Sequence, residues 1–212
     1  PQHGRILIDG KDLGLRAPGE RGVMTVRPHL ALFPHLGARA NIAFPLEQRG
    51  HDRAEIDNRL ERLREECGVG ADIQNQLPAS LTAEQQLRVA LARAIGGEPE
   101  ILLLERPLQI LPFAARRAFL PELKRLHRQF SLTTLFATDD LTEAMALADN
   151  ISIIVGGREI QRGKPEELFS RPASATVARL AGPCNLLPVD VDLQETKAQL
   201  RSPLLQSGGS EI

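Results

Sequence analysis

Leu81-Thr82-Ala83-Glu84-Gln85-Gln86-Leu87-Arg88-Val89-Ala90-Leu91-Ala92-Arg93-Ala94-Ile95-Gly96-Gly97, followed across Glu98-Pro99-Glu100 by Ile101-Leu102-Leu103-Leu104-Glu105-Arg106-Pro107, decides the fold class. Thr82 stands three residues ahead of Gln85, the spacing of a capping box, and the run that follows closes on Gly96-Gly97, so it reads as a capped helix. Ile101 to Leu104 is a continuous apolar run, the pattern of a strand covered on both faces in a parallel sheet.

Downstream the alternation continues. Pro112 to Phe130 is helical in periodicity, with Pro121 placed to kink or divide it. Leu132 to Thr138 reads as a second buried strand, Asp140 with Glu143 caps another helix, and Ile151 to Val155 is a third strand. Gly156-Gly157 then offers a hairpin turn into Arg158 to Gln161. Strand and helix alternate from about residue 100 to 155, which predicts an α/β layered sheet. Upstream, Arg5 to Ile8 with Asp9-Gly10 reads as a strand and turn, and Val23 to Val26 as another strand. From Asp52 to Cys67 charged residues surround one face of Ile56, Leu60 and Leu63, an amphipathic surface helix ended by Gly68. Beyond Pro172 one short helix precedes a Gly/Ser-rich end at Ser207 to Ser210, and there is no internal repeat.

At 212 residues the chain holds one full core with a small appendage. Hydrophobic residues at 42%, charged residues at 25% and a formal charge of -1 give the profile of a soluble globular protein. That near-neutrality argues against a nucleic-acid partner, so the basic run Arg116, Arg117, Lys124, Arg125 and Arg128 reads as a solvated helix face. Cys67 and Cys184 lie far apart and outside any paired motif, which predicts neither a disulfide framework nor a zinc site and fits a reducing cytoplasm. No apolar stretch approaches the roughly 20 residues of a membrane span, and the start lacks the regions of a signal peptide. Direct membrane insertion is not expected. The first residue is Pro1 rather than Met, which fits a processed or incomplete product.

Five segments, in order, resemble the ATP-binding cassette family, specifically the subunits that power bacterial importers for ions, polyamines or sugars. Leu32-Phe33-Pro34-His35-Leu36 with Asn41-Ile42-Ala43-Phe44 is similar to the stretch after the Q-loop, and Leu81 to Ala94 to the signature motif and its helix. Ile101 to Leu104 with Pro107-Leu108 is similar to the Walker B strand, and Thr133 to Asp149 to the switch-histidine region. Gly163 to Leu168, through Gly182 and Asn185-Leu186-Leu187, is similar to the passage into an importer's C-terminal regulatory domain. The resemblance implies an α/β, P-loop-NTPase-like core sheet lacking the Walker A segment, over residues 1–182, with a helical subdomain at about 40–95. Residues 183–212 form a short tail resembling the start of the regulatory domain, too short to complete it. By the same resemblance the cofactors are ATP and Mg2+, and the partners are transmembrane permease subunits and a second cassette subunit. The location is cytoplasmic, peripheral to the inner membrane when complexed.

The positions that handle phosphate in the family depart from its pattern. Phosphoryl transfer of this type rests on positioning and charge stabilisation by a P-loop lysine, a magnesium ion and an oriented water. Gly10-Lys11 and Gly163-Lys164 have the P-loop dipeptide, but neither is followed by Ser or Thr; the family's loop would precede Pro1. The Q-loop glutamine falls at Pro28, which has no side-chain donor or acceptor. The signature Ser-Gly-Gly becomes Thr82-Ala83-Glu84, with Gln85 and Arg88 following as in the family. Two like charges near 4 Å cost about 4 kcal/mol at an effective dielectric of 20, so Glu84 is expected to repel phosphate. The metal-binding aspartate falls at Glu105, a weak metal candidate, and the catalytic glutamate at Arg106, which stays protonated and cannot act as a base. The D-loop aspartate falls at Pro112 and the switch histidine at Asp139. No catalytic residue is intact, and the resemblance implies that Arg106 and Asp139 pair to fill the vacated site.

Plainer readings stand beside these. An apolar run is a core strand in any α/β protein, Glu105 at a strand end is solvated, and Gln85 and Arg88 serve a cap and a surface. His29 and His35 repeat a Pro-His-Leu pattern that fits a turn-rich surface better than a metal pair. Phe33, Pro34 and His35 differ, because by resemblance they adjoin the groove that receives the permease. Three functions remain open: a degenerate energy-coupling subunit unable to hydrolyse ATP alone, a genuine ATPase seen as an incomplete chain, and a non-catalytic structural or regulatory partner. The transported substrate is not legible here.

Overall fold

Asp9 and Gly10 take positive φ (48° and 77°) and turn the chain between β1 (Leu7–Ile8) and β2 (Lys11–Asp12), an antiparallel pair. β3 (Val23–Val26) leads through a loop to α1 (Ala38–Gln48) and α2 (Arg53–Glu66), the latter capped where the Asp52 carboxylate accepts from the Glu55 amide. α3 (Ala83–Gly96) starts at the expected box: the Gln85 amide donates to Thr82 Oγ1 at 3.2 Å and the Thr82 amide to Gln85 Oε1 at 2.8 Å. β4 (Ile101–Glu105), α4 (Phe113–Gln129), β5 (Thr133–Ala137) and α5 (Leu141–Leu147) complete the first of two compact units, Pro1–Ala148. The computed structural model describes residues 3–181 and the strands 190–194 and 197–201. The passage through Gly182, Asn185-Leu186-Leu187 and Pro188, Cys184 and the Gly/Ser-rich end at 207–210 lie outside the described residues.

The central sheet is parallel, in the order β3-β4-β5, with Val26 beside Leu104 and Leu104 beside Phe136. One face carries the buried Val26, Leu102 and Leu104, packed in a common core with α3, whose Leu87, Val89, Leu91, Ala92 and Ile95 are all buried. A helix apolar nearly all round belongs inside a domain, and α3 lies against α1, α2 and β3. The other face is open among the described residues. Ile101 and Leu103 are half-buried and Leu135 is 65% exposed, so β4 is covered fully on one face only and β5 is not the buried strand its composition predicts. β5 is the edge of the described sheet, which leaves Thr133, Leu135 and Ala137 facing solvent.

Pro121 does not divide α4, which runs unbroken from Phe113 to Gln129. Both Pro121 and Arg117 are exposed, so water can satisfy the carbonyl that a proline leaves unpaired, while Phe119, Leu120, Leu123 and Leu126 anchor the buried side. The basic run lies on this helix, with Arg117, Lys124, Arg125 and Arg128 exposed and Arg125 paired to Glu122 at 2.9 Å.

The second unit, Asp149–Ile212, holds β6 (Ile151–Val155) and β7 (Arg158–Gly163) as an antiparallel hairpin, then α6 (Pro165–Ser170), α7 (Ala175–Ala181) and the antiparallel pair β8 (Asp190–Gln194) and β9 (Lys197–Arg201). β6 is the strand expected at Ile151 to Val155. Gly156 and Gly157, at φ 57° and 76°, return the chain immediately into β7, the expected hairpin. The β8-β9 hairpin went unforeseen, hidden in a polar stretch.

At the start of α5 the Asp140 carboxylate accepts from the Thr142 amide at 2.8 Å. Thr138 Oγ1 accepts from the Asp140 amide at 3.0 Å and donates to Glu143 Oε2 at 2.7 Å, and Glu143 is 5% exposed. Burial penalises the ionised form and raises this carboxyl above the ordinary carboxylate range, against the hydrogen bond from Thr138. The folded protein then holds a proton on Glu143 more readily than the unfolded chain. Its stabilising contribution is complete below the unfolded value and is lost as pH rises through the raised folded value.

Two expectations follow for stability in urea. Leu87→Ala, at a fully buried position, should cost about 2–5 kcal/mol, whereas Leu135→Ala on the open face should stay within about 0.5 kcal/mol; equal losses would mean that the open face is covered. Glu143→Gln should remove a pH dependence, so the wild type should lose stability relative to the variant as pH rises through the Glu143 titration. Parallel stability curves would contradict it.

Candidate functional site

The three parallel strands end together, and in open α/β sheets that carboxyl edge is where ligands bind. β3 runs out at Val26 into Arg27 and Pro28, β4 at Glu105 into Arg106, and β5 at Ala137 into Thr138 and Asp139. Glu105 lies beside Ala137 in register, and the Arg106 amide donates to the Ala137 carbonyl at 2.8 Å. Arg106 itself is left-handed, at φ 41° and ψ 48°, and turns the chain into Pro107, which is buried. Such geometry costs a residue with a Cβ roughly 1–2 kcal/mol. The strand ends thus gather Pro28, Glu105, Arg106 and Asp139, with Pro28 half-buried and the three charged residues exposed.

The expected ion pair between Arg106 and Asp139 does not form; none of the ion pairs among the described residues joins them. Both side chains are exposed, and an exposed pair gains only about 0–1 kcal/mol, too little to draw two solvated groups together. Among the described residues no group of three or more His, Cys, Asp or Glu side chains is arranged to hold a metal ion.

The N-terminal turn of α3 forms a second location. Arg88 grips Glu84 Oε1 through Nη2 at 2.8 Å and Nε at 3.0 Å, so the carboxylate that enters this turn is matched by a cation one turn on. The same guanidinium donates to the Cys67 carbonyl at 3.0 Å, approaches Glu122 Oε1 at 3.4 Å and lies 5.1 Å from the Phe119 ring centroid. Arg88 therefore ties α3 to the end of α2 and to α4. Cys67 is enclosed beneath it, its thiol pushed up to about 12 by burial, which leaves it un-ionised and unreactive near neutral pH. Thr82, Ala83 and Gln85 stay at the helix start, and among the described residues no hydrogen bond or ion pair joins this turn to the strand ends.

The loop after β3 is the third location, and it is the most heavily built. Asn41, fully buried, accepts from the Phe33 amide at 2.8 Å and donates to the Leu36 carbonyl at 2.9 Å, with the Phe33 and Gly37 carbonyls each at 3.2 Å. Arg93, from the last turn of α3, donates to the Leu30 carbonyl at 2.8 Å and the Ala31 carbonyl at 2.7 Å. Desolvation lowers the pKa of Arg93, but an arginine stays charged at any ordinary pH. The loop presents Phe33, Pro34 and His35 beside Phe44 of α1, with Phe33 4.5 Å from the Phe44 ring and 6.2 Å from that of His35. Pro34, His35 and Phe44 are exposed. Sequence reasoning quoted Asn41, Phe44 and Arg93 only as members of matching segments. The local signal for Asn41 was a polar residue on an otherwise apolar helix face.

Comparison with known proteins agrees with this geometry. The sequence profile of the family described as ABC transporter matches residues 1–109. The Fe(3+) ions import ATP-binding protein FbpC of Brucella abortus (strain 2308) is 39% identical over 191 residues, which is 90% of this chain and 54% of that protein. The sulfate/thiosulfate import ATP-binding protein CysA of Thermosynechococcus vestitus is 41% identical over 187 residues, 88% of this chain and 55% of that one. The chain spans about half the length of the curated relatives it matches. In fold it is similar to the ATP-binding cassette MJ0796, solved as a dimer in a post-hydrolysis state bound to ADP and Pi, with a TM-score of 0.67 at 24% identity over 77% of this chain and 74% of that one. With more than half of its residues under the family profile and the cassette fold in its core, the chain belongs to the ABC transporter family.

Proposed function

We propose that this chain is the nucleotide-binding, energy-coupling subunit of an importer, degenerate at its phosphate-handling positions and unable to hydrolyse ATP alone. The observation that supports this best is the content of the strand ends. The residues gathered there are Pro28, Glu105, Arg106 and Asp139. Magnesium takes oxygen ligands in a near-octahedral shell. Of these four side chains only Glu105 and Asp139 carry oxygens, and Arg106 brings a positive charge beside them. A terminal phosphate meets a carboxylate at Asp139, at a cost of about 4 kcal/mol per pair of unit charges at 4 Å and an effective dielectric of 20. Arg106 has no basic form available to polarise a water. The residues do not fit Mg2+ and ATP in the manner of a hydrolytic cassette. At the signature turn, Glu84 is matched internally by Arg88, and Thr82 and Gln85 bond to each other.

In this reading residues 1–182 are the incomplete cassette domain, 40–95 its helical subdomain, and 183–212 a tail at the start of a regulatory domain. The Phe33, Pro34 and His35 surface is the docking place for the transmembrane permease subunits, and the chain pairs with a second, competent cassette subunit at the cytoplasmic face of the membrane. The cargo stays unassigned, because one relative is named for a cation and another for an anion. A second reading, a competent ATPase of which this chain is a piece, draws on the half-length coverage of the relatives. It still has to place catalysis beside Arg106.

Calorimetry of the chain with ATP and Mg2+, run beside an ATPase assay at high protein concentration, tests the first reading. We expect no saturable binding at micromolar nucleotide and no turnover above a protein-free control. Hydrolysis by the chain alone would overturn the proposal. For the docking surface, capture by detergent-solubilised permease subunits should fall for Phe33→Ala while Leu135→Ala binds as wild type.

A further inference from the structure

Leu30 and Ala31 are consecutive non-glycine residues at left-handed φ (54° and 46°), a conformation that costs roughly 1–2 kcal/mol for each residue with a Cβ. Two such residues in a row persist only when their surroundings over-determine them. Within the turn the Leu30 amide donates to the Arg27 carbonyl at 2.9 Å and the Ala31 amide to the His29 carbonyl at 2.6 Å, and one side chain from a distant element adds to these. Arg93 donates one guanidinium nitrogen to the Ala31 carbonyl and another to the Leu30 carbonyl, at 2.7 and 2.8 Å. Its Cζ lies 5.3 Å from the Phe33 ring centroid, within the reach of a cation-π contact. Nη1 also approaches Asn41 Oδ1 at 3.5 Å, so the two groups that hold this loop meet each other. Leu30, 1% exposed, plugs the core below.

We infer that Arg93 is a positioning residue which fixes the left-handed turn at Leu30-Ala31 and orients Phe33, joining α3 mechanically to the aromatic surface. The planar fork matters as much as the charge, because two carbonyls about one residue apart are bridged by two rigid nitrogens; a lysine ammonium is one flexible point. Asn41 holds the far half of the loop, from Phe33 to Gly37, and Arg93 alone reaches its near half from α3. The helix that begins at the Thr82 box thus ends in a grip on the proposed docking surface, and Arg93 is a direct side-chain link from α3 to the loop that carries Phe33. The relevance to a permease rests on the docking reading above, whereas the positioning role stands on the hydrogen bonds.

The test is amide hydrogen exchange on the full chain with no partner present, comparing wild type, Arg93→Met and Arg93→Lys. Met keeps much of the apolar stem and loses the fork; Lys keeps the charge and loses the bridge. Arg93→Met should accelerate exchange in 30–36 by at least about tenfold while amides of β4 and the middle of α3 keep their protection. Arg93→Lys should fall between the two, and at both variants an acrylamide-quenched Phe44→Trp reporter should become more accessible. It would be the only tryptophan in the chain. Unchanged exchange in the loop for both variants overturns the inference, and so does acceleration spread equally over α3 and β4, which would make Arg93 a general core residue. Loss of permease capture plays no part in this readout, so the docking reading can fail while the positioning role survives.

Discussion

The burial of α3 is the constraint on which the first unit depends. Seven of its residues from Leu87 to Ile95 are buried apolar side chains, and each large one is worth about 1.5–3 kcal/mol when removed from water. A helix buried that completely must dispose of its few polar groups inside the structure. Gln85 closes its start, Arg88 leaves sideways to α2 and α4, and Arg93 leaves at its end to the loop after β3. The polar contacts that tie α3 to α2, to α4 and to the loop after β3 are therefore consequences of its burial. Packing places the helix, and its two arginines place its neighbours.

How much of this was legible depended on the range of the physics. The Thr82-Gln85 box was readable because both partners lie within one turn, and Asp52 and Asp140 were readable as caps for the same reason. The reach of Arg93 across 62 and 63 residues was not, since no local pattern says where an arginine on a buried helix will find acceptors. The errors have the same origin. Ile101 to Leu104 and Leu132 to Thr138 read alike as buried strands, yet among the described residues the first is central and the second an edge, a difference of neighbours that no local pattern carries. Ile151 to Val155 and its hairpin were readable, because the Gly156-Gly157 turn is local.

The candidate site was legible in part because its positions are fixed by register. Once β3, β4 and β5 align, the residues just past Val26, Glu105 and Ala137 must come together, whatever they are. What register cannot say is whether the side chains then interact, and the predicted pairing of Arg106 with Asp139 failed at that step. Exposed charges gain too little from contact to be placed by it. The residues that give the aromatic surface its shape, Asn41 and Arg93, are the opposite case, buried or partly desolvated and fully engaged.

This contrast explains how a cassette scaffold outlasts its chemistry in the proposed reading. The turn after β4 keeps a left-handed residue at Arg106, and what holds it there is backbone and proline: the amide bond to Ala137, the buried Pro107 and the short helical turn through Ile110. None of these involves the side chain at 106, so an exchange from carboxylate to guanidinium there removes no contact that the fold uses. The same holds at Asp139, whose neighbours Thr138 and Asp140 carry the hydrogen bonds that start α5. Pro28 ends its strand without needing a ladder bond. Stability therefore places little restraint on these three positions, and only the chemistry of a bound nucleotide would. Arg88 and Arg93 differ in kind, because each is held by contacts that the fold itself requires. In the proposed reading, a chain freed from turnover would lose the strand-end side chains first and the arginines of α3 last.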